Sequence, residues 1–259
     1  GQVWADDCSR QYPGGVAPVI QHQGIAAEAR ALCFEAYALV YAPRNKLALW
    51  SAENLTASKV SAAYQVNRDD AFHEEKKLPV EHRADHCRHA VPRSWYSGSA
   101  YDRGHLVPAA NMPTEKSQYE SFSLANMVPQ EPAHNRGLWA DIESATRGLA
   151  RQRGGVYVIT GPLHLNAVTP STARGRELAR KIPIPSHLFK VVYDMRAGEA
   201  GVYLSPNDNS RRYSVISVAQ LEALSGIDFL PMARKSIKER AMSLPEPRGR
   251  DGAVTLPAP

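Results

Sequence analysis

Residues 96–111, with the sequence YSGSAYDRGHLVPAAN, place an acid, a base, a glycine and a histidine on consecutive positions. The neutral imidazole of His105, with a usual pKa of about 6.5, is suited to take a proton from water. In an extended strand Arg103 and His105 point to the same face, so the guanidinium and the ring can meet one phosphate. These two side chains are candidates for the base and a phosphate contact in phosphodiester hydrolysis.

The other two residues of this motif have structural interpretations. Gly104 allows close approach of the backbone or a φ that other residues resist. Asp102 can orient or neutralise a nearby arginine, or it can accept backbone N–H groups. A surface turn with a local ion pair is the alternative for these four residues taken alone.

A second set of side chains recurs every four residues: Asn135, Trp139, Glu143 and Arg147. Apolar residues at spacings of three and four accompany them and predict a helix from about residue 135 to 151. The alternative without chemistry is an amphipathic helix with Trp139 in the core and a surface ion pair between Glu143 and Arg147.

Asn135 has a possible chemical role on this helix. Its side chain is a good N-cap, and its amide oxygen is also a hard ligand that Mg²⁺ accepts while keeping most of its waters. At 1.5 Å per residue, Glu143 lies about 12 Å further along the axis. We therefore expect Glu143 to reach such a metal through water.

Short β-branched or aromatic runs closed by Gly, Pro or Asn predict most of the architecture. The segment YALVYAPRNKLALWSAENLT predicts a hairpin with its turn at residues 43–46, and GVYVITGP, HLFKVVYD and EAGVYLS predict further strands. SVAQLEALSGIDF predicts a helix that ends at Gly226. Strands close enough for hairpins, without regular strand–helix alternation, predict an α+β fold with a mostly antiparallel sheet.

Domain organisation and compartment are predicted from the ends of the chain and its three cysteines. No boundary is visible, so we expect a single domain over residues 1–259 with an irregular tail at 244–259. A Cys8–Cys33 disulfide would close a loop worth about 3 kcal/mol of chain entropy and would tether residues 1–36. Cys87 is left without an evident partner, which keeps a reduced intracellular protein open.

The chain begins GQVWADDC, without an initiator methionine or an apolar leader. We interpret this as a signal peptide already removed. Basic residues exceed acidic ones by 31 to 26, which attracts anions only weakly. No apolar run approaches the roughly 18 residues needed to cross a bilayer, so a membrane-spanning protein is excluded.

Several blocks of the chain, in order, resemble the DNA/RNA non-specific endonuclease family, the sugar-non-specific nucleases of the ββα-metal superfamily. They are NRDDAFHEEKKLP, YSGSAYDRGHLVPAAN, NMVPQEPAHNRGLW, YVITGP, IPIPSHLFKVV and SVAQLEALSGIDFLP, and they span roughly residues 41 to 231. The resemblance implies a central antiparallel sheet with flanking helices and a ββα-metal active-site motif. It also implies metal-dependent cleavage of DNA and RNA that leaves 5′-phosphate ends.

The resemblance also implies roles for the residues at matching positions. His105 would be the general base, and Asn135 the sole protein ligand of a hydrated Mg²⁺, for which Mn²⁺ can substitute. Glu143 would hold a metal-bound water. Phosphate contacts are implied for Arg68, Arg103 and Arg147, and supporting hydrogen bonds for Asn126 and Gln130.

Other interpretations stay open at this point. A non-catalytic nucleic-acid-binding protein on the same scaffold is the alternative function, although the candidate base and metal ligand are both present. The location is expected to be periplasmic or secreted in a bacterium, with a eukaryotic organelle as the alternative. A homodimer and an inhibitor protein are open as partners.

A His/Cys cluster and a strand lysine elsewhere in the chain each have two interpretations. Spacing leaves a zinc site open at a His/Cys cluster, with a solvated loop as the simpler interpretation: His82, His86, Cys87 and His89. Lys190 matches a family position, but a strand lysine with its head in solvent is the simpler expectation.

Overall fold

The architecture is centred on a seven-stranded sheet in a computed structural model that describes residues 8–84 and 94–248. The strands in chain order are β1 (Val19–Ile20), β2 (Arg30–Cys33), β3 (Ala38–Ala42), β4 (Leu47–Thr56), β5 (Asp102–His105), β6 (Met127–Gln130), β7 (Gly155–Leu163), β8 (His187–Asp194), β9 (Glu199–Pro206), β10 (Ser214–Ile216) and β11 (Ile227–Asp228). The helices are α1 (Gln23–Glu28), α2 (Ala57–Ala63), α3 (Glu115–Ser121), α4 (Trp139–Arg153), α5 (Ala173–Lys181), α6 (Val218–Ser225) and α7 (Lys235–Glu239).

The large sheet has the order β10-β9-β8-β7-β4-β3-β2, and each neighbouring pair is antiparallel. The predicted hairpin is β3–β4, and the three further predicted strands are β7, β8 and β9. The predicted α+β fold with a mostly antiparallel sheet is therefore confirmed. None of the helices within the described ranges is both long and apolar enough to span a bilayer.

The sheet is buried on both faces. Val191 packs in one apolar layer with Trp50, and its neighbour Val192 packs in the opposite layer with Trp139. Successive side chains of a strand point to opposite faces. Burial on both faces explains why HLFKVVYD is a nearly continuous apolar run rather than an alternating one.

The ββα motif is built from a second, smaller sheet and the longest helix of the described residues. β5 pairs antiparallel with β6, so that Asp102 lies opposite Gln130 and His105 lies opposite Met127. β6 then leads through a π-helical turn, His134–Leu138, into α4. This arrangement places the DRGH residues beside the start of α4.

The predicted helix over 135–151 is present but begins later than expected. The α-helix runs from Trp139 to Arg153, and Asn135 lies in the preceding π-helical turn. Gly137 has φ −112° and ψ −106°, which interrupts the helical hydrogen-bond ladder before α4 starts. Gly154, with φ +81°, ends α4 in the left-handed conformation that glycine tolerates.

The other predicted helix, α6, matches its sequence signals. Ser217 and Gln220 form a capping box at its start, and Gly226 ends it with φ +67°. The Cys8–Cys33 disulfide is also present, with the two Cα atoms 5.7 Å apart. It attaches the N-terminal segment to the end of β2.

The start of the predicted tail packs against the sheet. Leu244 is buried, and the hydroxyl of Tyr203 donates to the carbonyl of Pro245, although residues 241–247 have no regular secondary structure. Residues 249–259 of that tail lie outside the described residues. So do three members of the predicted His/Cys cluster: His86, Cys87 and His89.

Candidate active site

A cleft of about 700 Å³ opens between β5, the segment around residue 70 and the start of α4. Six side chains singled out from the sequence line it: Arg68, Asp102, Arg103, His105, Asn135 and Glu143. Arg136 and several aromatic or small residues complete the wall: Asp70, Phe72, Tyr96, Ser97, Tyr101, Pro108, Ala109, Ala110 and Ala140. The fold thus brings three separate sequence blocks to one site.

His105, the last residue of β5, packs against two phenylalanines. Its ring centroid lies 4.8 Å from the nearly perpendicular Phe122 ring and 6.0 Å from the Phe72 ring. Nε2 is shut off from solvent and has no hydrogen-bond partner among the described residues, which leaves Nδ1 as the nitrogen able to meet water in the cleft. Burial, and then the charge of Arg68, lower the pKa of His105 to about 3. At neutral pH the ring is therefore a neutral imidazole, the form that accepts a proton.

Two guanidinium groups stack on the same pair of rings. Arg103 lies over Phe72, with Cζ 4.7 Å from the ring centroid, and Arg68 lies over Phe122 at 5.4 Å. Arg68 also donates from Nε to Asp70 Oδ1 at 2.6 Å. Two guanidinium groups therefore lie close to the imidazole, and both can donate hydrogen bonds to a phosphate oxygen.

Asp102 orients Asn135 and pairs with Arg136. Its Oδ2 accepts from Asn135 Nδ2 at 2.9 Å and from Arg136 Nε at 2.8 Å, and its Oδ1 accepts from Arg136 Nη2 at 2.6 Å. Asp102 was expected to orient or neutralise a nearby arginine, and that arginine is Arg136. The arginine is supplied by the turn before α4, 34 positions further along the chain.

The chemistry of these oxygen donors fits a hydrated hard cation. Because its amide nitrogen donates to Asp102, Asn135 retains its oxygen Oδ1 as the atom that can ligate a metal. Glu143 lines the same cleft with a carboxylate. Within residues 8–84 and 94–248, no three His, Cys, Asp or Glu side chains cluster as a metal site. The donor set suits a cation that keeps most of its waters, as Mg²⁺ does.

Glu143 and Arg147 occupy successive turns of α4. Burial raises the pKa of Glu143, while the charges of Lys190, Arg147 and Arg68 oppose this shift. Arg147 donates from Nη1 to Asn111 Oδ1 at 3.2 Å. Arg147 is not one of the described residues that line the cleft, and this hydrogen bond directs it to the turn Ala109–Asn111.

The expectation of a solvated Lys190 was wrong. Its side chain is 1% exposed, and Nζ donates to Thr160 Oγ1 on the neighbouring strand β7 at 2.7 Å. The negative charges of Glu143 and Glu53 oppose the lowering of its pKa by burial. A buried ammonium group requires such opposite charges, and both carboxylates come from other segments of the chain.

Asn126 fixes the loop that follows His105. Its Oδ1 accepts from Ser51 Oγ at 2.9 Å and from the backbone N–H of Val107 at 3.1 Å. Its Nδ2 donates to the carbonyls of Val107 and Ser121 at 2.9 and 3.0 Å. This fully buried amide therefore joins β4 to the loop after β5.

Gly104 permits close contact between β5 and β6. A Cβ atom at this position would lie 2.0 Å from Gln130 Oε1 and 2.6 Å from Gln130 Cβ. Gln130 is buried and bonds through Nε2 to His134 Nδ1 at 2.8 Å, and His134 Nε2 in turn meets Ser205 Oγ at 2.9 Å. Of the two roles considered for Gly104, close approach is the one observed.

Sequence reasoning missed several residues that build this site. Phe72 and Arg136 stand inside the quoted blocks NRDDAFHEEKKLP and NMVPQEPAHNRGLW, so their place in those blocks was an available signal. Asn111 closes the DRGH block and was likewise given no role. Glu53 carried no signal, because a single acid within a strand is usually exposed.

Comparison with known proteins agrees with this geometry. The family model described as DNA/RNA non-specific endonuclease matches residues 18–236. Human mitochondrial endonuclease G is 33% identical over 224 residues, covering 81% of this chain and 71% of that protein. A nuclease of Nostoc sp. is 33% identical over 218 residues, covering 78% of this chain and 73% of its own length.

A chain of the crystal structure of the EndoG/EndoGI complex superposes with a TM-score of 0.62 at 25% identity, covering 80% of this chain and 88% of that one. The family match and these relatives, together with the ββα cleft, define a nuclease, an enzyme that hydrolyses phosphodiester bonds. The chain belongs to the DNA/RNA non-specific endonuclease family. The resemblance drawn from the sequence motifs is thereby confirmed.

Proposed function

We propose that this nuclease is a metal-dependent, sugar-non-specific endonuclease that cleaves DNA and RNA to give 5′-phosphate ends. The observation that carries the proposal is the imidazole of His105 in one cleft with two guanidinium groups and the amide of Asn135. A base, an anion-binding field and a hard oxygen ligand are what phosphodiester hydrolysis requires. Neither a base-edge contact nor a 2′-hydroxyl is needed.

In this mechanism His105 takes a proton at Nδ1 from a water molecule in the cleft. The water oxygen attacks phosphorus in line with the bond to the 3′ oxygen, and that bond breaks. The 3′ oxygen leaves as an alcohol after taking a proton from solvent, and the phosphate stays on the 5′ carbon. Arg68 and Arg103 hold the phosphate and offset the charge that it gains.

Asn135 would hold the metal directly through Oδ1, and Glu143 would hold it through water. When bound, Mg²⁺ or Mn²⁺ supplies positive charge at the phosphate and the departing oxygen. Asp102 orients Asn135 for this role, while Asn126, Gly104 and Gln130 shape the strands that carry the site. Arg147, one turn further along α4 than Glu143, would offset negative charge at the phosphate.

The setting of the enzyme is also proposed. We propose that residues 1–259 act as one nuclease domain. The Cys8–Cys33 disulfide supports an oxidising compartment, as in a periplasmic or secreted bacterial enzyme. The likeness to mitochondrial endonuclease G supports an organelle as the alternative. EndoG is inhibited in the EndoG/EndoGI complex, and we propose an inhibitor protein as the analogous partner here. A homodimer stays a prediction.

The test is cleavage of supercoiled plasmid and of a structured RNA, with Mg²⁺ or with EDTA. We expect the wild type to cut both substrates only when metal is present, and the products to carry 5′-phosphates. The His105→Ala variant should bind DNA but leave both substrates uncut. His164→Ala changes an exposed histidine that is not among the residues lining the cleft, and this matched control is expected to cut normally. Binding without cleavage in Mg²⁺, Mn²⁺ and Ca²⁺ would instead favour the non-catalytic binding protein.

A further inference from the structure

A group of charged and amide side chains is buried behind the cleft wall. Glu53 in β4 is 2% exposed, Lys190 in β8 is 1% exposed and Asn111 is 3% exposed. Burying an ionised group is unfavourable unless opposite charges and hydrogen bonds compensate the loss of hydration. A fold that retains these groups needs each of them to have a partner.

Hydrogen bonds connect Glu53 and Asn111 to Arg147 of helix α4. Glu53 Oε1 accepts from Asn111 Nδ2 at 2.7 Å, and Asn111 Oδ1 accepts from Arg147 Nη1 at 3.2 Å. Lys190 supplies the compensating charge, since it counteracts the burial that raises the pKa of Glu53. Glu53 is thus linked to Arg147 by hydrogen bonds through Asn111, and its charge also acts on Lys190 and Glu143.

The amide of Asn111 has only one orientation that satisfies both neighbours. A carboxylate accepts hydrogen bonds and a guanidinium donates them, so Nδ2 must face Glu53 and Oδ1 must face Arg147. An aspartate at this position would place two carboxylates together, and an apolar residue would leave both neighbours unsatisfied. The position therefore requires a side chain that donates at one end and accepts at the other.

Asn111 also lies beside the substrate space. It ends the 3₁₀ turn Ala109–Asn111, whose first two residues line the cleft. Its bond to Arg147 spans from this turn to α4, the helix that carries Glu143. The position of Arg147 is thus coupled to the wall that faces the phosphate.

We infer that Asn111 is a positioning residue for phosphodiester cleavage. Its amide oxygen holds the guanidinium of Arg147, and the buried carboxylate of Glu53 fixes the orientation of that amide. This inference rests on the proposed function, because it assigns Asn111 to the same reaction. It predicts that Asn111 matters to the reaction only while Arg147 is present.

A double-mutant cycle tests this dependence. Asn111→Ser, Arg147→Met and the double variant are compared in kcat and KM on plasmid DNA, in Kd for a DNA duplex in EDTA, and in Tm. Coupled neighbours typically interact by 0.5–3 kcal/mol, roughly 2- to 150-fold. We expect Asn111→Ser to lower kcat by about 10-fold alone and by less than 2-fold in the Arg147→Met background. Asn45→Ser, the same change in an exposed turn, is the matched control and should leave kcat unchanged.

The outcomes separate a positioning role from a structural one. The inference would be overturned if the double variant lost kcat by the product of the two single losses. It would also be overturned if Asn111→Ser had the kcat of the wild type. If Asn111→Ser does not fold, Glu53→Gln replaces it in the cycle, because an amide no longer forces the orientation of Asn111. Multiplying losses of Glu53→Gln and Arg147→Met would overturn the inference in the same way.

The two proposals fail in different ways. If the wild type binds DNA but never cuts it, the proposed function fails, and so does a role of Asn111 in cleavage. In that case, coupling in Kd alone would assign Asn111 to binding. If the wild type cuts and the cycle is additive, the nuclease proposal stands and the inference on Asn111 is rejected.

Discussion

Asp102 Oδ2 accepts a hydrogen bond from Asn135 Nδ2 at 2.9 Å, across the junction between β5 and the turn that precedes α4. An ionised carboxylate only accepts, so the amide NH₂ must face Asp102 and the amide oxygen must point away from it. Asp102 therefore decides which atom of Asn135 is offered to a cation. The acid of the DRGH motif therefore acts on Asn135, the proposed metal ligand.

Asp102→Asn is expected to weaken metal binding, because an amide both donates and accepts and no longer forces the orientation of Asn135. Loss of such an outer-shell partner typically costs 10- to 100-fold in metal affinity. The measurement is cleavage rate against Mg²⁺ concentration. Arg136→Gln, which changes a side chain that is 73% exposed, should shift the curve less. An unchanged Mg²⁺ dependence in Asp102→Asn would contradict the orienting role.

The pKa of His105 makes stability depend on pH. The folded value of about 3 lies below the unfolded value of about 6.5, so the folded state binds fewer protons between them. The contribution of His105 to the free energy of unfolding is therefore fully present above pH 6.5 and is lost as the pH falls towards 3. Urea unfolding at pH 7 and pH 5 should show a smaller drop for His105→Gln than for wild type. Burial also lowers the pKa of His134 to about 4. Part of the dependence of stability on pH should therefore remain in both proteins.

The same shift predicts the NMR behaviour of the ring. The Cε1 proton of His105 should keep the chemical shift of a neutral imidazole from pH 8 down to pH 5. Arg68→Ala removes a nearby cation and should raise the pKa of His105. A wild-type midpoint near 6.5 would show that the Phe72 and Phe122 rings do not desolvate it.

Gly104→Ala should destabilise the protein and abolish cleavage, because the new Cβ would lie 2.0 Å from Gln130 Oε1. Overpacking of this kind usually costs about 1–3 kcal/mol. Gly148→Ala is the control, since nothing lies within 4 Å of its added Cβ inside α4. Thermal unfolding should show Gly148→Ala to be about 0.5–1 kcal/mol more stable than wild type. Equal effects of the two variants would refute the packing argument.

Removing the disulfide should lower stability without changing the chemistry. Cys8 and Cys33 are 25 positions apart, and opening a loop of this size costs about 3 kcal/mol in the chain-entropy model. The Cys8→Ser/Cys33→Ser variant should unfold at lower urea, and its kcat at low temperature should match wild type. Dithiothreitol should shift the wild type to the same midpoint but leave the variant unaffected.

Phosphate recognition predicts a steep salt dependence of DNA binding. Each contact between a cation and a phosphate contributes about one unit to the slope of log K against log salt. Arg68→Ala should reduce that slope by about 1 in EDTA, for every duplex sequence tested. Arg44→Ala changes an exposed arginine in the β3–β4 turn and should leave the slope unchanged. A loss confined to particular sequences would indicate base contacts instead.

Local patterns in the sequence determined the β3–β4 hairpin, the strands β7, β8 and β9, and the helix α6. Period-two and helical spacing, turn residues and capping residues act between near neighbours in the chain. The spacing of Arg103 and His105 likewise put both on one face of a strand before any partner was known. The motif blocks then identified the family.

Tertiary structure decided the features that depend on residues far apart in sequence. The π-helical turn moved the start of α4 to Trp139, and pairing with Glu53 and Glu143 allowed Lys190 to be buried. Asp102 meets Asn135 only because β6 returns the chain to β5. Desolvation and hydrogen-bond partners depend on residues from the whole fold. A short stretch of sequence therefore cannot show that His105 stays neutral or that Asn111 contacts Arg147.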